Sequence, residues 1–241
     1  MVSLSMYHMY GYYFDPTYIL IIIAAVISVI AQIAVSSSFS KYSGVASMSG
    51  MTGARTAEHI LRANGITDVS VQRVSGKLTD HYNPSTKVLN LSDSVYGSSS
   101  VAAIGVAAHE CGHAIQHARG YVPLSLRTAL VPVANIGSQL SWVFIILGII
   151  LSFNQILITV GIVMFSAAVL FQLVTLPVEF NASSRALKEL QSSGILYSGE
   201  VSQARRVLSA AALTYVASAA SAILQLLRLI LLFGGRGRRD D

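Results

Sequence analysis

The sequence predicts a mostly α-helical membrane protein, with several membrane-crossing helices and a small α+β element that carries a histidine-rich helix. Hydrophobic residues make up 53% of the 241 residues and charged residues only 11%, whereas soluble domains carry roughly 25% charged residues. The apolar residues also lie in long uncharged blocks, between Asp15 and Lys41, between Arg127 and Glu179, and after Arg206. This composition cannot supply a soluble surface, so we expect the blocks to cross a membrane.

Four membrane-crossing helices are predicted from these blocks. Residues 18–35 form an apolar run close to the ~20 residues that span a bilayer. The middle block is long enough for a hairpin of two helices over residues 128–178, with its most polar point at 152–155. The last apolar block, residues 207–233, includes Arg228 and is predicted to be a spanning or a re-entrant helix. Short tails, 1–17 and 234–241, complete the chain.

The distribution of basic residues predicts the orientation of these helices. Residues 41–127 contain eight Lys and Arg, and residues 179–206 contain four, but residues 1–17 and the hairpin turn contain none. Short loops rich in Lys and Arg face the cytoplasm. We therefore expect a multi-pass plasma-membrane protein with an outside N-terminus and polar segments on the cytoplasmic face. A complete crossing by the last helix would place the basic C-terminal tail outside, against this rule.

The polar segment, residues 36–127, carries mixed helix and strand signals. Helix is predicted over 52–64, ending at Gly65, and again from about residue 98 to 119. Alternating β-branched residues predict strands over 66–74 and 87–91, separated by a loop that is broken at Asn83 and Pro84. The single cysteine permits no intrachain disulfide. The net charge of +5 comes without a basic run interleaved with aromatics, so the chain is not expected to bind nucleic acid.

The second predicted helix contains the stretch AAHECGHAIQHA, which places His109, Glu110 and His113 close together. Residues four apart share one helix face, so the two imidazoles point to the same place. Glu110 follows His109 directly and lies on the neighbouring face of the helix. Two imidazoles, a third ligand and a carboxylate general base form the site of zinc hydrolases. We therefore predict Zn²⁺ bound by His109 and His113, with Glu110 as the catalytic base. The alternative, packed core residues that bond one another, is disfavoured because burying such groups without a strong partner is costly.

Two possible sources of a third ligand are eliminated by the sequence. Gln116 and Arg119 occupy the positions where the metzincin motif requires Gly and His. No Asp occurs between Asp93 and Asp240, so a later membrane span cannot supply an aspartate.

Glu179 is favoured among the remaining candidates. It is the first charge after the hairpin, and two crossings return the chain to the side of the membrane that it left, near His113. A carboxylate at the mouth of a span is costly unless it is paired or metal-bound; the alternative role is a simple interfacial anchor. His117, one turn beyond His113, is expected to contact a zinc ligand without binding the metal, or to lie at the surface. Glu189 and Glu200 are expected to be solvated.

Several segments together resemble a known family. SGMTGARTAEHILRANGI, LTDHYNPSTKVLNLS, AAHECGHAIQHA, LPVEFNASSRAL and VLSAAALTYVASA are similar in order and spacing to the YugP-like bacterial membrane zinc metallopeptidases, gluzincins related to HtpX-like and CAAX prenyl endopeptidases. The resemblance implies a zincin-like element with His109, His113 and Glu179 as zinc ligands. It also shows a departure, since Asn83 and Asn181 stand where the family more often has Asp. Asn181 is expected to accept a hydrogen bond from a ligand imidazole, although it would make that imidazole less basic than Asp would.

These observations predict a membrane-integral zinc endopeptidase that cleaves membrane or membrane-proximal polypeptides, with membrane lipid as its other partner. The alternative is a zinc-stabilised membrane scaffold or adaptor with weak or no turnover, which Asn83 and Asn181 motivate. A transporter is disfavoured because the predicted spans hold few polar residues. The strand over 87–91 is expected either to pair with an extended substrate or to be an edge strand protected by Lys87. His81 and Tyr215 are both candidates to stabilise an oxyanion.

Overall fold

The computed structural model describes residues 15–234, and the predicted tails lie almost entirely outside this range. The described chain is mostly helical, with one small sheet. Its elements, in chain order, are α1 (Tyr18–Ser43), α2 (Gly53–Ala63), β1 (Ser70–Val74), β2 (His81–Asn83), β3 (Val88–Ser92), α3 (Asp93–Tyr96), α4 (Val101–Ala118), α5 (Val122–Ile150), α6 (Gln155–Ser192) and α7 (Ser198–Phe233).

Four of these helices are long and apolar enough to cross a membrane, which confirms the four predicted apolar helices within the described residues. They are α1, α5, α6 and α7. Each is longer than the predicted span. In particular, α6 runs without a break from the hairpin turn through Pro177 and Glu179 to Ser192. Helix α7 is likewise continuous, so the last apolar block is not interrupted.

One compact unit comprises residues 15–30, 130–172 and 217–234, in which the apolar helices pack against one another. Glycines bring α5 and α6 close together, since a Cβ atom on Gly161 would lie 2.7 Å from the Ser141 carbonyl oxygen. The break predicted at 152–155 is confirmed as the turn between the two helices. There Ser152 has a φ of 56°, and the Asn154 side chain accepts from the backbone N–H of Ile156 at the start of α6.

Polar contacts gather at one end of this unit. The Arg228 guanidinium lies 3.2 Å from Asp15 and 4.7 Å from the centre of the Tyr18 ring. At the hairpin turn, the Gln155 side chain donates to the Phe233 carbonyl over 3.1 Å. The start of α1, the hairpin turn and the end of α7 therefore lie at the same end of this unit.

The other compact unit comprises residues 31–129 and 173–216 and contains the sheet. The strand order is β1-β3-β2, with β1 parallel and β2 antiparallel to the central strand β3. The expectation that residues 87–91 form an edge strand or pair with a substrate is wrong, because β3 is paired on both sides. Residues 81–83 form a strand where a loop was predicted. Pro84, read as a break, follows the last strand residue and removes no ladder hydrogen bond.

Helix α4 lies at the centre of this unit, and most of its residues are buried. The predicted helix at 52–64 is confirmed as α2, which Thr52 caps and which is followed by Gly65 with a φ of 71°. A Cβ atom on Gly112 would lie 2.5 Å from the Ala182 carbonyl oxygen. Only glycine at position 112 permits this close approach, which brings α4 against the stretch of α6 that carries Glu179.

Candidate metal centre

The side chains of His109, His113 and Glu179 converge on one point. Glu179 Oε2 lies 3.2 Å from His109 Nε2 and 3.5 Å from His113 Nε2. Ligands placed 2.0–2.1 Å from a tetrahedral zinc are about 3.3 Å apart. Both distances from Glu179 fit such a site, and all three donor atoms lie within 4.8 Å of one another. Two imidazole nitrogens and one carboxylate oxygen are also a common catalytic zinc donor set. These residues could therefore hold a metal ion, as the sequence predicted.

A glutamine fixes the tautomer of His113. The amide nitrogen of Gln116 donates to the Val178 carbonyl over 2.8 Å, and a carbonyl can only accept. The amide oxygen of Gln116 must therefore face His113 Nδ1, 3.0 Å away, and accept its proton. Nε2 of His113 is left with a free lone pair directed at the metal position.

Ser183 orients the other imidazole from the opposite helix. Its hydroxyl lies 3.1 Å from His109 Nδ1, while His109 Nε2 faces Glu179. Ser183 is one helical turn beyond Glu179 on α6, so one face of α6 supplies both the third donor and the contact that holds His109.

Glu179 is almost fully buried, with 2% of its surface exposed, and Arg127 balances its charge. Arg127 Nη2 lies 3.7 Å from Glu179 Oε1, the oxygen that does not face the histidines. This arrangement leaves a single carboxylate oxygen for the metal. Burial acts to lower the pKa of His113, but the Glu179 and Glu110 carboxylates and the Gln116 side chain together outweigh it and hold that pKa above its ordinary value.

Glu110 is buried beside the three donors and is held by the sheet. Its Oε2 accepts from the backbone N–H of Tyr82 in β2 over 3.0 Å. The Tyr82 hydroxyl in turn lies 2.8 Å from Nδ1 of His117. His117 is thus linked to Glu110 through Tyr82 and is outside the donor triad.

A cavity of about 360 Å³ opens onto this cluster, and His109, Glu110, Asp80 and Tyr215 line it. Tyr215 is close enough to interact with Glu110 and Glu179. His81, the other candidate for oxyanion stabilisation, is exposed and bonds instead to the Thr79 carbonyl and to Asn90. The cavity therefore presents Tyr215, not His81, next to the donor cluster.

Asn181 was expected to accept a hydrogen bond from a ligand imidazole, but it contacts Gln116 instead. Its side-chain oxygen accepts from Gln116 over 3.0 Å and from Arg185 over 2.7 Å. It therefore positions Gln116, which itself contacts His113. The other departure, Asn83, caps a turn by accepting from the backbone N–H of Ser85.

Two glutamates predicted to be solvated have structural partners, so that expectation is wrong. Glu200 is 8% exposed and accepts from the backbone N–H of Met48 at 2.7 Å and of Tyr197 at 2.9 Å. Glu189 is half-buried and accepts from the Asn64 side chain over 3.0 Å. The partners are distant in sequence, and neither glutamate belongs to the donor cluster.

Sequence reasoning missed Gln116, Ser183 and Arg127, although each carries a positional signal. Gln116 follows His113 by three residues on α4, and Ser183 follows Glu179 by four on α6, so each shares a helix face with a ligand candidate. Arg127 is the last charge before the hairpin, as Glu179 is the first charge after it.

Comparison with known proteins gives the same family as the motifs. Residues 17–234 match the family described as "Putative neutral zinc metallopeptidase". The "Putative membrane protease YugP" of Bacillus subtilis (strain 168) is 50% identical over 183 residues, which cover 76% of this chain and 80% of that protein. No solved structure matches the chain significantly. The match over nearly the whole described chain shows that this protein belongs to the neutral zinc metallopeptidase family.

Proposed function

We propose that this chain is a membrane-integral zinc endopeptidase that cleaves membrane or membrane-proximal polypeptides at the cytoplasmic face. The observation that carries this proposal is the convergence of His109, His113 and Glu179 beside the buried Glu110. Zinc held by these three residues would lower the pKa of a water molecule to roughly 7 and polarise the scissile carbonyl.

Glu110 would serve as the general base. Its carboxylate takes one proton from the attacking water as the oxygen bonds to the carbonyl carbon. It then returns that proton to the amide nitrogen as the C–N bond breaks, and the second water proton passes from the new carboxylic acid to the released amine, which leaves a carboxylate and an ammonium group. In the structure described above, Glu110 is held by the Tyr82 amide, so its carboxylate is positioned before a substrate arrives.

Tyr215 would donate its hydroxyl to the developing oxyanion, because it lines the cavity with His109 and Glu110. A Tyr215→Phe variant should lose about 10²–10³-fold in kcat with little change in KM. A His81→Ala variant is the matched control, because His81 is exposed and should leave kcat unchanged.

An extended substrate is best held at the outer edge of β2. The Tyr82 N–H points away from β3 and donates to Glu110, so this edge of the strand faces Glu110, and a substrate there would bond to its remaining backbone groups. A substrate pairing with β2 would bring its peptide bond beside Glu110, using backbone hydrogen bonds that do not depend on substrate sequence.

The test is metal analysis and proteolysis on detergent-purified full-length protein. The wild type should bind about one zinc per chain, Glu179→Gln should bind much less, and Glu110→Gln should keep its zinc and lose cleavage of an unstructured protein substrate. Cleavage by Glu110→Gln, or unchanged zinc affinity in Glu179→Gln, would overturn the proposal. The scaffold alternative is not favoured, because Asn83 and Asn181, which motivated it, have structural partners.

A further inference from the structure

A second concave surface lies between α6 and α7, next to the cavity at Glu110, and Leu208 lines both. This groove encloses about 590 Å³, a volume typical of small-molecule sites. The α6 residues that line it recur every three or four positions from Phe180 to Gln191, and those of α7 do so from Arg205 to Val216. One continuous face of each helix therefore forms a wall of the groove.

The groove is cationic at one end and apolar at the other. Lys188 and Arg205 line it near the turn that joins α6 to α7, whereas Phe180, Leu213 and Val216 line it further from that turn. At 1.5 Å per helical residue, each charge is about 12–16 Å from the apolar end of its own helix. This separation suits an amphiphile with a charged head and a hydrocarbon chain.

The two cations have no acidic partner in the described part of the chain. No carboxylate of residues 15–234 lies within salt-bridge distance of Lys188 or Arg205. The apolar end is similarly open, since Phe180 and Leu213 are each 49% exposed. Unpaired positive charges and exposed hydrophobic side chains within one groove complement an anionic lipid.

The sequence of α7 places the groove at the edge of its apolar stretch. Leu213 and Val216 lie inside the uncharged block that follows Arg206, and Arg205 lies just before it. The basic segments that flank this end are those expected to face the cytoplasm, where the membrane leaflet is rich in anionic lipid.

We propose that this groove binds an anionic phospholipid. The phosphate lies between Lys188 and Arg205, and an acyl chain packs against the apolar end. The bound lipid would also contact Ser183, which lines the groove and whose hydroxyl lies 3.1 Å from His109 Nδ1. The site thus adjoins the donor cluster without including any of its three donors.

The test measures lipid binding to delipidated full-length protein in neutral detergent by native mass spectrometry. Phosphatidylglycerol and phosphatidylcholine with identical chains are compared, with inorganic phosphate as a competitor. At about fivefold in affinity per basic residue near a lipid surface, the Lys188→Gln/Arg205→Gln protein should bind phosphatidylglycerol about 25-fold more weakly. Its binding of phosphatidylcholine should not change.

The matched control is Arg55→Gln/Lys77→Gln, which removes two exposed cations of the same unit outside the groove. It should keep the wild-type preference for phosphatidylglycerol. Ser209→Phe should fill the groove from an exposed lining position and weaken the binding of both lipids. Size-exclusion chromatography and helical circular dichroism should show that every variant is folded.

Three results would overturn the proposal. The first is an unchanged lipid preference in the Lys188→Gln/Arg205→Gln protein or unchanged binding in the Ser209→Phe protein. The second is displacement of the bound phosphatidylglycerol by millimolar inorganic phosphate, which would indicate a site that binds an anion and does not recognise a lipid chain. The third is a loss of poly-glutamate peptide binding in the groove variants with lipid binding intact, which would indicate a polypeptide site. Zinc content does not enter these measurements, so a failure here leaves the proposed peptidase activity standing.

Discussion

The side-chain oxygen of Gln116 lies 3.0 Å from His113 Nδ1, and the amide nitrogen of the same residue is held by the Val178 carbonyl. His113 belongs to α4 and Val178 to α6, so Gln116 connects the histidine pair to the helix that carries Glu179. Its hydrogen bonds set which imidazole nitrogen is free, and they also tie the two helices together.

Replacing Gln116 by Leu should weaken zinc binding by about 10–100-fold, because His113 would lose the acceptor that fixes its ring and tautomer. The measurement is a zinc titration against a chelator of known affinity. Gln72→Leu, at an exposed position on β1, is the control and should bind zinc as the wild type does. Equal zinc affinity in the Gln116→Leu and wild-type proteins would show that the hydrogen bond does not position the ligand.

Replacing Arg127 by Gln should destabilise the metal-free protein, because it leaves the buried Glu179 carboxylate without its cation. The expected loss is about 1–3 kcal/mol, because Arg127 is partly exposed and water screens its charge. A zinc ion beside Glu179 would supply positive charge in place of Arg127. The loss should therefore shrink when zinc is present, as measured by thermal unfolding in detergent with EDTA and with zinc.

Arg62→Gln is the control for Arg127→Gln, because it removes an exposed ion pair with Glu58 that is worth little. If Arg127→Gln lowered the melting temperature equally with EDTA and with zinc, Arg127 would have a structural role unconnected to the charge of Glu179.

Replacing Gly112 by Ala should lower stability by about 1–3 kcal/mol and reduce zinc occupancy, because the new methyl group would force α4 away from the Ala182 carbonyl. Elemental analysis and thermal unfolding of the same preparation would measure both effects. Gly199→Ala is the control, since its added Cβ atom would meet nothing within 4 Å. Full zinc occupancy in Gly112→Ala would mean that the helix contact does not set the ligand geometry.

The proposed orientation in the membrane predicts which introduced thiols can be labelled from outside. Ser152→Cys, in the hairpin turn, should react with a membrane-impermeant maleimide on intact cells, whereas Lys77→Cys should react only after permeabilisation. The background should be low because Cys111, the only native cysteine, is buried. The reverse labelling pattern would place the donor cluster outside the cell.

Hydrophobic blocks and motif spacing predicted the apolar helices and the His109 and His113 pair, because both depend on local sequence. The position of Glu179 was also predictable, since a hairpin must return the chain to the same membrane face. Arg127 is the last charged residue before the hairpin, but it was not predicted as a site residue because an arginine does not bind a metal. Strand β2 escaped prediction because three residues beside a proline carry no period, and its pairing with β3 depends on the folded chain.

The continuity of α6 has a consequence for how this protein can be handled and altered. A single helix passes from the hairpin turn to Glu179 and on to Ser183, so the apolar part and the donor-bearing part of α6 cannot be separated by truncating the chain. A water-soluble fragment that ended before the hairpin would keep the whole HECGH sequence. It would lack Glu179 and the residue that orients His109, and its histidines would have no partner helix against which to align.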